Sequence, residues 1–101
     1  MKEILSTLKA TKLDNRVRLG IMSLLVVNDR VEFKYLKEML ELTDGNLASH
    51  IKALEKEKYI EVHKKFVARK PQTSYEVTPQ GRKAFEAHLN ALEALIKKSE
   101  D

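Results

Sequence analysis

Residues 43–59 read TDGNLASHIKALEKEKY. Laid on a helix of 3.6 residues per turn, Leu47, Ala48, Ile51, Leu54 and Glu55 fall on one side. Gly45, Asn46, Ser49, Lys52, Ala53 and Lys56 fall on the other. One face is thus an apolar stripe, and the other carries small or hydrogen-bonding groups. Thr43 or Asp44 can cap the start, because a short side-chain oxygen there accepts from the first free N–H groups. A helix with so slim an outer face can enter a groove, and the DNA major groove, about 12 Å wide, admits a helix with such side chains at its base edges. An ordinary surface helix looks the same in isolation, so the flanks decide.

Upstream, residues 33–42 place Phe33, Leu36, Met39 and Leu40 at helical spacing. Only a few residues separate this segment from Thr43, so the two form a helix-turn-helix candidate. Before them, Val17, Ile21, Leu24 and Leu25 give the core-facing pattern of a helix over residues 15–27, with Asp14 as its cap. Gly20 marks a close approach within it, and residues 28–29 a turn. Residues 30–32 form a brief strand. Residues 2–10 form a short amphipathic helix carrying Ile4, Leu5 and Leu8. A helix of that length is marginal alone and must pack on something.

Downstream of Tyr59 the period changes from 3.6 to 2. Ile60, Val62 and Phe66 share one parity, and His63, Lys65 and Val67 the other. Alternation breaks over residues 67–72, which include Pro71, and resumes at Thr73, Tyr75 and Val77. This predicts a β-hairpin with a longish tip bearing Arg69 and Lys70. Thr78 then caps a last helix, to about residue 98, with Pro79 in its first turn and Gly81 as an early soft spot. Phe85, Leu89, Leu92 and Ile96 recur at coiled-coil spacing along it, for fewer than two heptads.

The chain has 101 residues, 43% of them apolar. That is enough for one modest core, and too little for a core plus a large catalytic cleft. There is no cysteine, so disulfides, thiolate metal sites and cysteine nucleophiles are excluded. No apolar run approaches the roughly 20 residues that span a bilayer. The N-terminal stretch lacks the apolar core of a signal peptide, and a cytoplasmic location is expected. Net charge is +4. The basic excess sits in two blocks, residues 1–27 and 59–82, while residues 28–58 are close to balanced. Local positive fields of this kind attract phosphate backbones. His50, His63 and His88 lie in separate elements without metal-ligand spacing. No phosphate loop and no nucleophile elbow is present. No enzyme activity, no metal and no cofactor is expected.

The order of elements closely resembles that of a winged-helix transcriptional regulator of the MarR/ArsR-like superfamily. The resemblance is carried by LDNRVRLGIMSLL (13–25), FKYLKEMLELTDGNLASHIKALEKEKYIEV (33–62) and TSYEVTPQGRKAFEAHLNALEAL (73–95). The run Leu42-Thr43-Asp44-Gly45-Asn46-Leu47 resembles the small single-domain group of these proteins. It implies a mainly α fold with a small β-hairpin wing (α+β): a winged helix-turn-helix with a three-helix core and terminal dimerisation helices. One domain would fill residues 1–101. Its N-terminal helix would lie in 1–12, its core in 13–78 with the wing at about 60–77, and its dimerisation helix in 79–98.

The function implied is sequence-specific binding of double-stranded DNA by a homodimer on a palindromic operator, in a prokaryotic cytoplasm and on the nucleoid. The residues 43–59 helix would enter the major groove. Asn46, Ser49 and His50 are base-edge or phosphate candidates, with a partly packed His50 as the alternative. Gly45 would let a phosphate approach the helix start. Thr43, Asp44 and Ala53 complete the groove-facing set, and Lys52 and Lys56 are phosphate candidates. Arg69 and Lys70 at the wing tip suit an electronegative groove, with Lys64 and Lys65 behind them. Arg16 and Arg18 read as surface or ion-pair groups, with a backbone contact as the alternative for Arg18. The dimer seam would use Ile4, Leu5, Leu8, Phe85, Leu89, Leu92 and Ile96. Relatives that sense metals use cysteines or Asp/His pairs on the last helix, and only Glu86 and His88 echo that here. A small-molecule effector is left open, with no residue to hold it. The alternative is a winged-helix module that binds protein, which would more often carry apolar groups where this chain has Asn46, Ser49 and lysines.

Overall fold

The structure, a computed structural model, describes residues 1–100 and the side chains of residues 1–98. The elements run α1 (Lys2–Ala10), α2 (Arg16–Val26), β1 (Val31–Glu32), α3 (Phe33–Met39), α4 (Asp44–Lys56), β2 (Ile60–Val67), β3 (Lys70–Val77) and α5 (Pro79–Glu100). The fold is the expected α+β winged helix. The three strands form one antiparallel sheet in the order β1-β3-β2.

Each helix starts and stops for a local reason. Asn15, and not Asp14, caps α2: its Oδ1 accepts from the N–H groups of Val17 and Arg18. Both neighbours are good cap residues, and only the backbone's turn chooses between them. Thr43 caps α4, accepting from the Asn46 N–H at 3.2 Å. At the far ends, α3 and α4 close in the same way. The N–H of Glu41 bonds Glu38 O and that of Leu42 bonds Lys37 O. Likewise Lys58 bonds Glu55 O and Tyr59 bonds Leu54 O. This is the Schellman pattern, which needs a left-handed residue, usually glycine. Here Glu41 (φ 52°) and Lys58 (φ 63°) take that position. Glu41→Gly in the helix-turn-helix corner is therefore expected to raise stability by about 0.5–1 kcal/mol, read as a higher urea midpoint; an unchanged or lower midpoint would show that the corner carries no such strain.

The core gathers Ile21, Met22 and Leu25 of α2, Leu36 of α3, and Leu47, Ile51 and Leu54 of α4. Tyr59, Ile60, Tyr75 and Phe85 close it from the sheet and α5. Several periodic assignments shift. Met22 is buried where Val17 and Leu24 are only partly so, and Met39 is 55% exposed. Ala48 and Glu55, read as part of the α4 stripe, face outward.

The hairpin departs most from expectation. Its strands pair without a break from Ile60↔Val77 to Val67↔Lys70, which leaves a two-residue turn, Ala68-Arg69. Both residues have left-handed φ (51° and 66°). That is the backbone of a type I′ turn, whose hand matches strand twist. Pro71 lies within β3, pairing with Phe66, at a level that β1 does not reach.

Tyr59 joins α4 to α1 and α5. Its O–H donates to Thr11 O at 3.0 Å, and its carbonyl accepts from the Thr78 N–H at 3.0 Å. Thr78 Oγ1 accepts from Gly81 N–H, capping α5 as expected, and donates to Lys58 O. Gly81 is no soft spot. A Cβ there would stand 2.1 Å from Tyr59 O.

α1 buries nothing by itself and packs along α5. Between the two, His88 is 2% exposed, with its Nδ1 2.7 Å from Thr11 Oγ1. Burial pushes the His88 imidazole below its ordinary value, against a smaller opposing pull from Asp14. The unfolded chain thus takes up a proton that the folded chain resists. The stability that His88 contributes is therefore present above about pH 6.5, the free imidazole value, and is lost as pH drops below it. Urea midpoints taken on both sides of that pH will diverge in the wild type and less so in His88→Gln. Equal divergence in both would assign the effect elsewhere.

Candidate nucleic-acid interface

α4 presents its first turns to solvent because Leu47, Ile51 and Leu54 turn the helix's other side into the core. Gly45, Asn46, Ser49, Lys52 and Lys56 are all exposed, and Ala53 is half-buried. No heavy atom lies within 4 Å of the Cβ position at Gly45, so the backbone there is open to an approaching group. Thr43 is committed to its cap. Asp44 Oδ1 pairs with Lys37 Nζ at 2.8 Å, an exposed pair that also places a carboxylate at the positive end of the helix dipole.

His50 is half-buried. Arg18 Nε donates to its Nδ1 at 3.3 Å, tying α2 to α4. Burial, and then the Arg18 charge, push this imidazole below its ordinary value, so the neutral acceptor form is favoured. His50 takes the partly packed position, and Arg18 acts as its partner.

The hairpin stands beside α4, and the two wall a cleft of about 950 Å³. Phe33, Ile51, Val62 and Tyr75 line its apolar parts; Lys52 of α4 and Lys64 and Lys70 of the hairpin stand at its margins, with Glu55 among them. Three of the basic groups read from sequence, Lys52 of α4 and Lys64 and Lys70 of the hairpin, thus border one concavity. Arg69 occupies the turn itself, and Lys65 points to the other face of the hairpin from Lys64. Lys56 and Asn46 do not line the cleft.

Phe66 was missed as a site candidate. Its parity matches Ile60 and Val62, yet it is 77% exposed, with Val67 beside it at 47%. The strand outruns the core, so an inward parity ends in solvent. Phe66 pairs with Pro71, on the face of the hairpin that Lys64 shares.

At the other pole, the apolar seam divides. Phe85 goes into the chain's own core (8% exposed), while Leu5, Leu89 and Ile96 remain 51%, 42% and 60% exposed. Ile4, Leu8 and Leu92 are half-buried where α1 meets α5. His88, which with Glu86 echoes a metal-sensing pair, is held by Thr11.

A family model for the winged helix DNA-binding domain matches residues 17–96, from α2 through most of α5. The chain belongs to the winged helix DNA-binding family. This winged helix protein is 35% identical to a transcriptional regulator homologue from Pyrococcus horikoshii OT3. The match covers 100% of both chains with a TM-score of 0.89. It is 39% identical, over 83% of its length and 91% of the relative's, to an uncharacterized protein of Methanocaldococcus jannaschii. The fold also matches S. aureus MepR in its DNA complex, at 15% identity and a TM-score of 0.74, covering 99% of this chain and 82% of that one. The family is one of DNA-binding regulators and not of enzymes. No described helix is long and apolar enough to cross a membrane.

Proposed function

We propose that this winged helix protein regulates transcription as a homodimer bound to a palindromic operator in double-stranded DNA, in the cytoplasm of a prokaryote and on its nucleoid. The observation that carries the reading is the exposed polar edge of α4, Gly45-Asn46 with Ser49 and Lys52, standing beside a projecting basic hairpin. A rigid helix fits the major groove, and a hairpin of this reach meets the adjacent backbone or minor groove. Gly45, Asn46, Ser49 and Lys52 are the inner contacts, with Lys56 behind them. Lys64, Lys65, Arg69 and Lys70 serve the phosphates, and Phe66 adds an apolar contact in the groove beneath the wing. Leu5, Leu89 and Ile96 supply the exposed apolar surface for a second copy, flanked by Ile4, Leu8 and Leu92. Two-fold symmetry sets the half-sites about one helical turn, or a multiple, apart.

Selection of bound duplexes from a random library, at about physiological salt, with sedimentation in parallel, tests this directly. Enrichment of a two-fold-symmetric sequence by a dimer supports it. A protein that stays monomeric, or that enriches no sequence, would overturn it. Replacing Arg69 and Lys70 together by alanine should weaken binding to every duplex. The slope of log K against log salt should also become shallower by about 0.9 for each phosphate that the variant no longer neutralises. If the slope is unchanged, the wing does not touch the backbone.

A further inference from the structure

Glu61, His63 and Glu76 meet on the face of the hairpin turned away from Ile60 and Val62. The register sets Glu61 directly opposite Glu76, and strand alternation brings His63 to the same face two residues on. His63 Nε2 lies 2.9 Å from Glu76 Oε1 and 3.9 Å from Glu61 Oε2, and one ligand atom from each of the three residues lies within 4.8 Å of the others. Two carboxylates directly opposite on a sheet repel one another, so a cation shared between them would relieve the pair. Arg30 Nε reaches Glu76 alone, at 3.9 Å, beyond hydrogen-bond distance.

We propose that Glu61, His63 and Glu76 bind a divalent transition-metal ion, zinc foremost, at the root of the wing. One imidazole nitrogen and two carboxylate oxygens form the mixed donor set that borderline ions of this kind accept. Metal bonds of about 2.1 Å at tetrahedral angles set donors about 3.4 Å apart, and the two measured separations bracket that value. Small side-chain rotations suffice to close the site, with a water completing the fourth position. All three ligands come from two paired strands, so the backbone is already in place. Bound there, the ion replaces a repulsive cross-strand pair with a clamp between β2 and β3. The site shares no residue with the DNA-facing set, so it stands or falls independently of the operator reading.

The test uses the full chain, stripped with a chelator and dialysed. Zinc is titrated by calorimetry and cobalt by visible absorption. One ion per chain, the d–d bands of a bound cobalt, and a higher Tm in excess zinc are expected. His63→Ala and Glu61→Gln should each weaken zinc binding at least about tenfold. His50→Ala, on α4, should leave it intact. Glu61 is 64% exposed at its side chain, so the Glu61→Gln variant keeps the fold even if the other does not. Absence of zinc heat and cobalt bands up to millimolar ion, or wild-type affinity in both variants, would overturn the proposal.

Discussion

Gly81→Ala will destabilise the protein by about 3 kcal/mol or more, the upper reach of overpacking effects. The new methyl carbon would sit 2.1 Å from the carbonyl oxygen of Tyr59 and 2.8 Å from its carbonyl carbon. Both are backbone atoms, so no rotamer change relieves the clash. α5 must move away from Tyr59, and the Thr78 N–H bond to that same carbonyl must stretch. A loss of this size lowers the Tm by more than about 10 °C in a domain of this length. The same chemical change at Gly45 is the control. Nothing lies within 4 Å there, and a helical alanine should add about 0.5–1 kcal/mol. Denaturation curves that moved both variants alike would mean that the contact with Tyr59 is not tight.

Asn46→Ala is expected to leave stability near that of the wild type while removing about 1–3 kcal/mol of discrimination at a single base position. The side chain is exposed, and the backbone N–H that Thr43 caps is retained in alanine. Any loss must therefore come from what the side chain touches in the complex. Binding measured against the selected operator and its single-base variants separates two outcomes. A loss confined to one position assigns Asn46 to a base edge. An equal loss at every position assigns it to a phosphate, and no loss removes it from the interface.

Periodicity made much of this molecule readable in advance. Leu47, Ile51 and Leu54 are buried as their spacing requires, and Thr43 and Thr78 cap the helices they precede. The helix-turn-helix followed from the short link before Thr43, and the hairpin from a change of period at Tyr59. What escaped depends on facts that no local pattern encodes. A turn built from Ala68 and Arg69 carries neither asparagine nor glycine, so its tight geometry leaves no mark in composition. Pro71 looked like a loop residue, and only the short reach of β1 shows why a strand tolerates it. Phe66 obeys its parity and still ends in solvent, because parity says nothing about where the core stops. Phe85 and Leu89 share one seam by spacing, yet Phe85 enters the chain's own core and Leu89 stays at the surface. The Glu61–His63–Glu76 cluster needed the strand register, which brings Glu76 back across thirteen residues to His63.

Tyr59 receives three different loads. Its amide ends α4, its carbonyl holds the start of α5, and its hydroxyl holds the residue after α1. The terminal helices and α4 therefore share one fulcrum. Whatever reseats α1 against α5, whether a second copy arriving or a proton taken up by His88, acts on a lever whose other arm is α4. In such an arrangement, the proposed pairing surface on α1 and α5 and the proposed DNA-facing edge of α4 are set against each other by a single residue.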